Sequence, residues 1–270
     1  MDKHYDKALV IFMDILGSQN RDNFEELYKI NSMFHRELEK QQQNDKDYTV
    51  TQRHVYTFSD CAYIIYDFKE NISDSRKDIG HLFHQALYNT EQLIQRMLKG
   101  RFICRGGIAY GDVYYEENRS LLFGPAINKA YYLESKIAKF PRVVVDSFVV
   151  EQVSAFISDL INKVPEDFKS IIYQTNGKII ATDDDGQYYL NYFNSIKQGH
   201  NYLEGCLLLD ELTCLSDEEI RKQLVIKEST EDSDMKRRCE SIIQKYEWLK
   251  KYIIASQPEN SSGQVIIQDS

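Results

Sequence analysis

The sequence predicts an α+β fold, a mainly antiparallel sheet covered by helices. Three observations predict it. Apolar or β-branched runs at 7–14, 53–58, 61–67, 102–110 and 142–146 read as strands. Two of these, 53–58 and 61–67, are separated only by Ser59-Asp60, which makes them a hairpin. Stretches with helical spacing at 22–42, 77–99 and 125–138 fall between the runs, giving the order strand–helix–hairpin–helix–strand–helix–strand.

Each element has its own signal. Ala8 to Met13 is apolar at every position, the mark of a strand buried on both faces. Gly17 then permits a tight turn. Phe24, Leu27, Ile30 and Phe34 place one apolar stripe on the first helix, and 41–47 reads as a polar loop. Ile79, Leu82, Phe83, Ala86, Leu87, Leu93, Ile94 and Met97 define the second helix, with Lys99-Gly100 as its stop. The strand 102–110 contains paired glycines, Gly106-Gly107, which lack the third Gly and following helix of a dinucleotide fingerprint. Gly111-Asp112 is a turn signal before a short strand at 113–115 and a loop at 116–120. Pro125 fits the first turn of the third helix.

Further along, 147–163 reads as helix. Strands at 178–181 and 188–193 flank Asp183-Asp184-Asp185-Gly186, a hairpin turn that lacks the later Glu of a calcium loop. Residues 216–254 form one charged helical stretch, read as a solvated face packing on the domain or on a dimer. The division expected is a core at 1–150, a hairpin and helical extension at 151–255, and a loose polar tail at 256–270.

Composition limits the function. With 270 residues, 42% hydrophobic and 28% charged, the chain has the balance of an ordinary globular protein of one or two domains. A net charge of −9 argues against broad nucleic-acid binding, which needs a basic face. No apolar run is long enough to span a bilayer, and Met1 to Asp6 opens no signal-like segment, so no membrane association and a cytoplasmic location are expected. Cys61, Cys104, Cys206, Cys214 and Cys239 are odd in number and lack CxxC spacing, against both a disulfide framework and a structural zinc site.

Two aspartates carry the chemistry. Asp14 ends the first apolar strand, and Asp60 sits at the hairpin tip. If both strands share a sheet, the carboxylates converge. Converging carboxylates with no His or Cys nearby favour hard cations such as Mg²⁺ or Mn²⁺, and two such ions suit phosphoryl transfer. Either aspartate alone also reads as a cap or turn residue.

Three segments together resemble the class III nucleotide cyclase catalytic domain. They are Phe12-Met13-Asp14-Ile15-Leu16-Gly17, Tyr56-Thr57-Phe58-Ser59-Asp60-Cys61-Ala62-Tyr63, and Arg105 to Gly111 followed by Phe123-Gly124-Pro125-Ala126-Ile127-Asn128. The order is that of the family across roughly residues 7–146. The likeness is closest to the bacterial pyrimidine cyclases of the Pycsar antiphage systems, through Asp14 to Ser18, the Ser59-Asp60-Cys61 tip and Asp185 to Leu190. It implies a ferredoxin-like βαββαβ core. It also implies conversion of UTP or CTP to cyclic UMP or cyclic CMP, with the product acting through a cyclic-nucleotide-gated effector.

The resemblance assigns roles residue by residue. Asp14, Asp60 and the carbonyl of Ile15 would bind two Mg²⁺ or Mn²⁺ ions. Gly17 and Ser18, taken to open the helix after the first strand, would offer backbone N–H groups to phosphate. Tyr56 stands where purine cyclases carry a base-reading Lys, and Leu121 where many adenylate cyclases carry an acidic one, which argues against ATP. Asn128 matches the ribose-orienting Asn. The Arg expected four residues later is Tyr132, so Lys129, Lys136 or Arg105 would supply that cation, Lys136 first by helical spacing. A homodimer with shared sites is implied, Asp14 and Asp60 from one subunit and Asn128 from the other. Read without the resemblance, Tyr56 is sheet packing and Asn128 a surface helix residue. An adenylate or guanylate cyclase and a catalytically silent nucleotide-binding domain stay open as alternatives, as does uracil against cytosine, with a lean to uracil.

Overall fold

The computed structural model describes residues 4–17, 22–43, 49–199 and 202–258. The chain begins β1 (Asp6–Ile15), α1 (Phe24–Gln43), β2 (Thr51–Phe58), β3 (Cys61–Phe68), α2 (Ile79–Lys99) and β4 (Cys104–Glu116). This is a βαββαβ unit whose strands lie in the order β2-β3-β1-β4. After β5 (Leu121–Phe123), α3 (Pro125–Tyr132) and a π-helical turn at Leu133–Ile137 come β6 (Val143–Val145), α4 (Ser147–Lys163) and α5 (Glu166–Thr175). The chain closes with β7 (Ile180–Thr182), β8 (Tyr188–Leu190), α6 (Asn194–Lys197), α7 (Tyr202–Ser229) and α8 (Ser233–Ala255). The sheet continues β4-β6-β8-β7, and β5 pairs with β4. All pairs are antiparallel except β4 with β6. The α+β fold expected from the sequence is the fold observed.

β1 is apolar on both faces because both are covered. Leu9, Ile11, Met13 and Ile15 pack with Ile30 and Phe34 of α1 and with Leu82, Phe83, Ala86, Leu87, Ile94 and Met97 of α2. The alternate residues Ala8, Val10 and Phe12 pack with Ala109 and Val113 under Ala126, Ile127 and Ala130 of α3. Gly107 lets α3 approach, and Gly106 lies against the backbone of β1. A Cβ on Gly107 would lie 2.3 Å from the Ala130 carbonyl oxygen, and one on Gly106 would lie 2.4 Å from that of Phe12.

Three local expectations are corrected. Gly111-Asp112 is not a turn: β4 runs through it, because Ala8 and Lys7 of the long β1 hold these residues in register and Lys7 Nζ meets Asp112 Oδ1 at 2.7 Å. Pairing with β1 overrides the turn composition. The second helix does end at Lys99, but its left-handed residue is Arg101 (φ 63°) rather than Gly100. The Phe102 and Arg101 N–H groups close back on the Met97 and Leu98 carbonyls in a Schellman arrangement. The stretch 216–254 is two helices. Asp232 breaks it, its carboxylate accepting from the Asp234 and Met235 N–H groups at the start of α8. Helices α5 and α6 had no sequence expectation. Residues 44–48 of the polar loop and 259–270 of the tail lie outside the described residues.

The C-terminal elements are tied to the sheet through one buried cation. Arg142, 0% exposed, sits just before β6 and pairs with Asp183 and Asp185 in the β7–β8 turn. Trp248 of α8 donates its indole N–H to Asp183 at 2.8 Å, and Lys251 reaches Asp184 at 2.5 Å. Asp183 to Gly186 is therefore the turn expected, with Gly186 at φ 77°, and its acids also clamp α8 onto the sheet. No helix among the described residues is long and apolar enough to cross a membrane.

Candidate active site

Strand pairing brings the two aspartates together. Asp14 shares the Phe12 face of β1 by alternation. It closes the ladder with β3, opposite Cys61, and sits opposite Arg105 of β4, one pair before that ladder ends at Ile15 and Cys104. The β2–β3 turn, with Ser59 at φ 54°, carries Asp60 just beyond the Asp14–Cys61 pair. Burial pushes the Asp14 carboxyl up, the Arg105 guanidinium pulls it down, and the neighbouring Asp60 charge pushes it up again. Asp60 Oδ2 is buried and has no hydrogen-bond partner. The Leu16 N–H bonds the Ile103 carbonyl on the β4 side at 2.8 Å, so by strand alternation the Ile15 carbonyl is directed to the β3 side, toward Asp60.

Arg105 bridges two acids. Its Nη2 and Nε lie 3.3 and 3.4 Å from Asp14 Oδ2, and its Nε lies 2.5 Å from Glu134 Oε1 on the π-helical turn. Glu134 is buried, and that burial, with a smaller push from Asp14 and against Arg105, raises its carboxyl to about 6. Cys61 corrects the expectation that no thiol stands near. Burial, Asp14 and Asp60 raise it to about 11, so it stays a protonated thiol, and its Sγ–H points to the Phe58 carbonyl. A protonated thiol is a poor soft-metal ligand.

The donors are therefore oxygens: two carboxylates, one with an orphaned buried oxygen, and a main-chain carbonyl. Among the described residues no group of three or more His, Cys, Asp and Glu side chains could hold a metal. The set fits a hard cation of the Mg²⁺ or Mn²⁺ kind.

Other residues singled out in the sequence fall as follows. Gly17 adopts φ 78° in an exposed turn beside Asp14. It does not open a helix, because α1 begins at Phe24, behind an Asn23 carboxamide that accepts from the Glu25 and Glu26 N–H groups. Ser18 lies outside the described residues. Tyr56 pairs across the hairpin with Tyr63 on the α3 face, and its hydroxyl is buried without a partner, which raises it to about 12. Leu121 is half-buried on β5. Asn128 and Lys136 are exposed, as is Tyr132. Lys129 is held by Asp146 at 2.6 Å. The fold thus gathers Asp14, Ile15, Gly17, Asp60 and Arg105, and leaves Asn128 and Lys136 facing solvent.

The reading of the sequence missed the opposite wall. A cavity of about 620 Å³ opens between the end of β1 and the α7–α8 hairpin. Asp14, Ile15, Gly17, Arg105 and Pro141 line one side, and Glu219, Lys222, Gln223, Arg238, Lys245 and Tyr246 the other. Lys245 is pushed down by burial and by Arg105, with Asp14 opposing. The signal was present: Arg238, Ile242 and Lys245 share one helical face, as do Glu219, Lys222 and Gln223. The sequence did not say what that face meets.

Neither the protein-family models nor the curated proteins include a match to this chain. Two solved structures are similar in shape. The guanylyl cyclase domain of the RhoGC fusion protein from the aquatic fungus Blastocladiella emersonii shares 16% identity over 70% of this chain and 96% of its own, with a TM-score of 0.44. The catalytic core of a rhodopsin-guanylyl cyclase with converted specificity, in complex with ATPαS, shares 15% over 70% and 97%, with a TM-score of 0.42. At these values the likeness carries no residue correspondence.

Proposed function

We propose that this chain is a pyrimidine nucleotide cyclase. It converts UTP or CTP to 3′,5′-cyclic UMP or cyclic CMP and pyrophosphate, by in-line attack of the ribose 3′-hydroxyl on the α-phosphorus. One observation carries the reading: Asp14 and Asp60 meet at one end of the sheet, and Asp60 keeps a buried oxygen with no partner. Asp14, Asp60 and the Ile15 carbonyl would hold two Mg²⁺ or Mn²⁺ ions. Such ions, when bound, acidify a ribose hydroxyl and neutralise a triphosphate.

This chain's residues supply the rest. Arg105 opposes the burial and the Asp60 charge that raise the Asp14 carboxyl. The Tyr56 ring narrows the base pocket and leaves a dry hydroxyl for one ring edge, which supports a pyrimidine over a purine. Asn128 would orient the ribose of the partner's site in a homodimer, with Lys136 as a stabilising cation there; both are exposed, as that role requires. A cytoplasmic antiphage role through a cyclic-nucleotide-gated effector follows from the resemblance.

Incubation with Mn²⁺ or Mg²⁺ and each ribonucleoside triphosphate, with products identified by mass, tests the reading. A cyclic pyrimidine monophosphate lost in Asp60→Ala is expected. Turnover of ATP or GTP alone would discard the pyrimidine assignment and keep a cyclase. One observation favours a second reading, a silent nucleotide-binding domain: Arg105 already pairs with Asp14. Nucleotide binding without pyrophosphate release would support it.

A further inference from the structure

We propose that the α7–α8 hairpin is the polyphosphate-binding wall of this site. Lys245 and Arg238, with Lys222, hold the terminal phosphates of a nucleoside triphosphate, or the pyrophosphate that leaves it, from the same chain that carries Asp14. This rests on the reading of the site as one for a nucleoside triphosphate.

Charge is the first argument. The chain carries a net −9, yet the cavity is lined by four cations, Arg105, Lys222, Arg238 and Lys245, against two carboxylates, Asp14 and Glu219. Both carboxylates are already engaged. Asp14 meets Arg105, and Glu219 accepts from Gln223 at 2.6 Å with Lys222 at 3.6 Å. Arg238 and Lys245 have no ion-pair partner among the described residues. Other lysines of the same hairpin do: Lys227 meets Glu240 at 2.9 Å, and Lys250 and Lys251 meet Asp217 and Asp184. Cations without ion-pair partners are thus gathered on the wall that faces Asp14.

Position is the second argument. Lys245 lies one helical turn before Trp248, whose indole N–H is fixed on Asp183 in the Arg142 cluster. Tyr252, a turn further on, donates to the Asn191 side chain at 2.7 Å and accepts the Phe193 N–H at 3.2 Å. A cation on such an anchored helix is held in place rather than swinging on a loop. The cavity, at about 620 Å³, is of the size that takes a small ligand. Its floor is the Asp14-to-Gly17 turn, so an anion between the walls would sit beside Asp14. The wall also offers, within one chain, the positive charge missing at Tyr132.

The test is calorimetric titration of the full chain with inorganic tripolyphosphate and, separately, pyrophosphate, each with Mg²⁺. Charge-assisted contacts of this kind are worth about tenfold to a hundredfold in affinity each. Lys245→Ala and Arg238→Ala are expected to weaken tripolyphosphate by that factor, Lys245→Arg to keep most of it, and Arg237→Gln on the solvent face to leave it unchanged. Thermal melting of each variant separates loss of the site from loss of fold. Lys245→Gln, which preserves the chain's shape, stands in if the alanine variant does not fold. Equal affinity in wild type and the folded Lys245 and Arg238 variants, or no binding by the wild type, would overturn the proposal. Stronger binding of tripolyphosphate than pyrophosphate assigns the wall to the substrate, and the reverse to the leaving product. Pyrophosphate release from nucleotides is measured in parallel. Anion binding that depends on Lys245, with no turnover of any nucleotide, keeps the wall and discards the cyclase.

Discussion

The two faces of the central sheet are built by different rules, although β1 supplies both. On one face Leu9, Ile11, Met13 and Ile15 are fully buried in a large apolar cluster with α1 and α2. On the other, Ala8, Val10 and Phe12 lead to Asp14, and α3 covers only part of the surface. Beyond α3 the same face holds Tyr56, Cys61 and Tyr63 half-buried, with Arg105 and Glu134 at its end. One face spends its residues on packing. The other keeps groups that packing alone would not choose: an orphaned carboxylate oxygen, an orphaned phenol and a buried acid raised to about 6. Such local conflict is expected where a fold carries a site.

The sharpest way to break the comparison is to substitute one residue on each face. Asp60→Ala is expected to reduce cyclase turnover by about a thousandfold or more while leaving the melting temperature unchanged or higher, because it removes a buried charge with an unpaired oxygen. Phe83→Ala on the packed face should do the reverse. It should cost about 3–5 kcal/mol of stability, with the surviving folded fraction turning over at the normal rate. Denaturation midpoints and specific activities on the same samples decide it. An Asp60→Ala variant that unfolds would make that aspartate structural.

Arg142 tests whether buried charge always means function here. It is as buried as any core residue, but Asp183 and Asp185 pair with both of its terminal nitrogens, leaving only Nε without a partner, and Trp248 shares Asp183. Arg142→Ala is expected to cost about 1–3 kcal/mol, since it removes a buried side chain and leaves the half-buried Asp183 with Trp248 alone. Because the cluster seats α8, the same variant should lower affinity for tripolyphosphate while leaving the aspartates in place. Urea unfolding measures the first effect and titration the second. A loss under about 1 kcal/mol would mean that the acids are solvated instead.

Much of this difference was legible in the sequence. A strand apolar at every position announces two covered faces, and Asp14 at its end announces where the cover stops. The hairpin tip was legible from its spacing alone, and the helices from their apolar stripes. What failed, failed for non-local reasons. Gly111-Asp112 has the composition of a turn, and only pairing with Ala8 and Lys7 keeps it straight. Cys61 gave no sign that register would set it opposite Asp14. Asp232 was a readable cap, but the charged hairpin that it starts looked like a solvated face, because sequence gives the stripe and not the surface it meets.

Glu134 sharpens the comparison through pH. Its carboxyl lies at about 6 in the fold against an ordinary 4.5, so the folded state holds a proton that the unfolded state has already released. The stability from the protonated form is complete below 4.5 and is lost as pH rises through 6. A shift of this size corresponds to about 2 kcal/mol. Glu134→Gln should therefore flatten the stability profile across that window and make the protein more stable at pH 7. Parallel unfolding curves for the two proteins between pH 4 and 7 would show that Glu134 is not the group that titrates.

The smallest effect separates the two faces most cleanly. The Tyr56 hydroxyl is buried, has no hydrogen-bond partner and is raised to about 12, while its ring packs against Tyr63 across the hairpin. If sheet packing were all that Tyr56 did, phenylalanine would do it better, since an unsatisfied hydroxyl in a dry place costs about 1–3 kcal/mol. Tyr56→Phe should thus leave the melting temperature unchanged or raise it by a few degrees. A base edge is the partner that would repay the hydroxyl, so the same substitution should raise KM for the preferred pyrimidine triphosphate about tenfold and narrow the ratio between UTP and CTP. Stability and selectivity are expected to move in opposite directions. A variant that loses both, or neither, would return Tyr56 to the packing role that its place in a strand suggests.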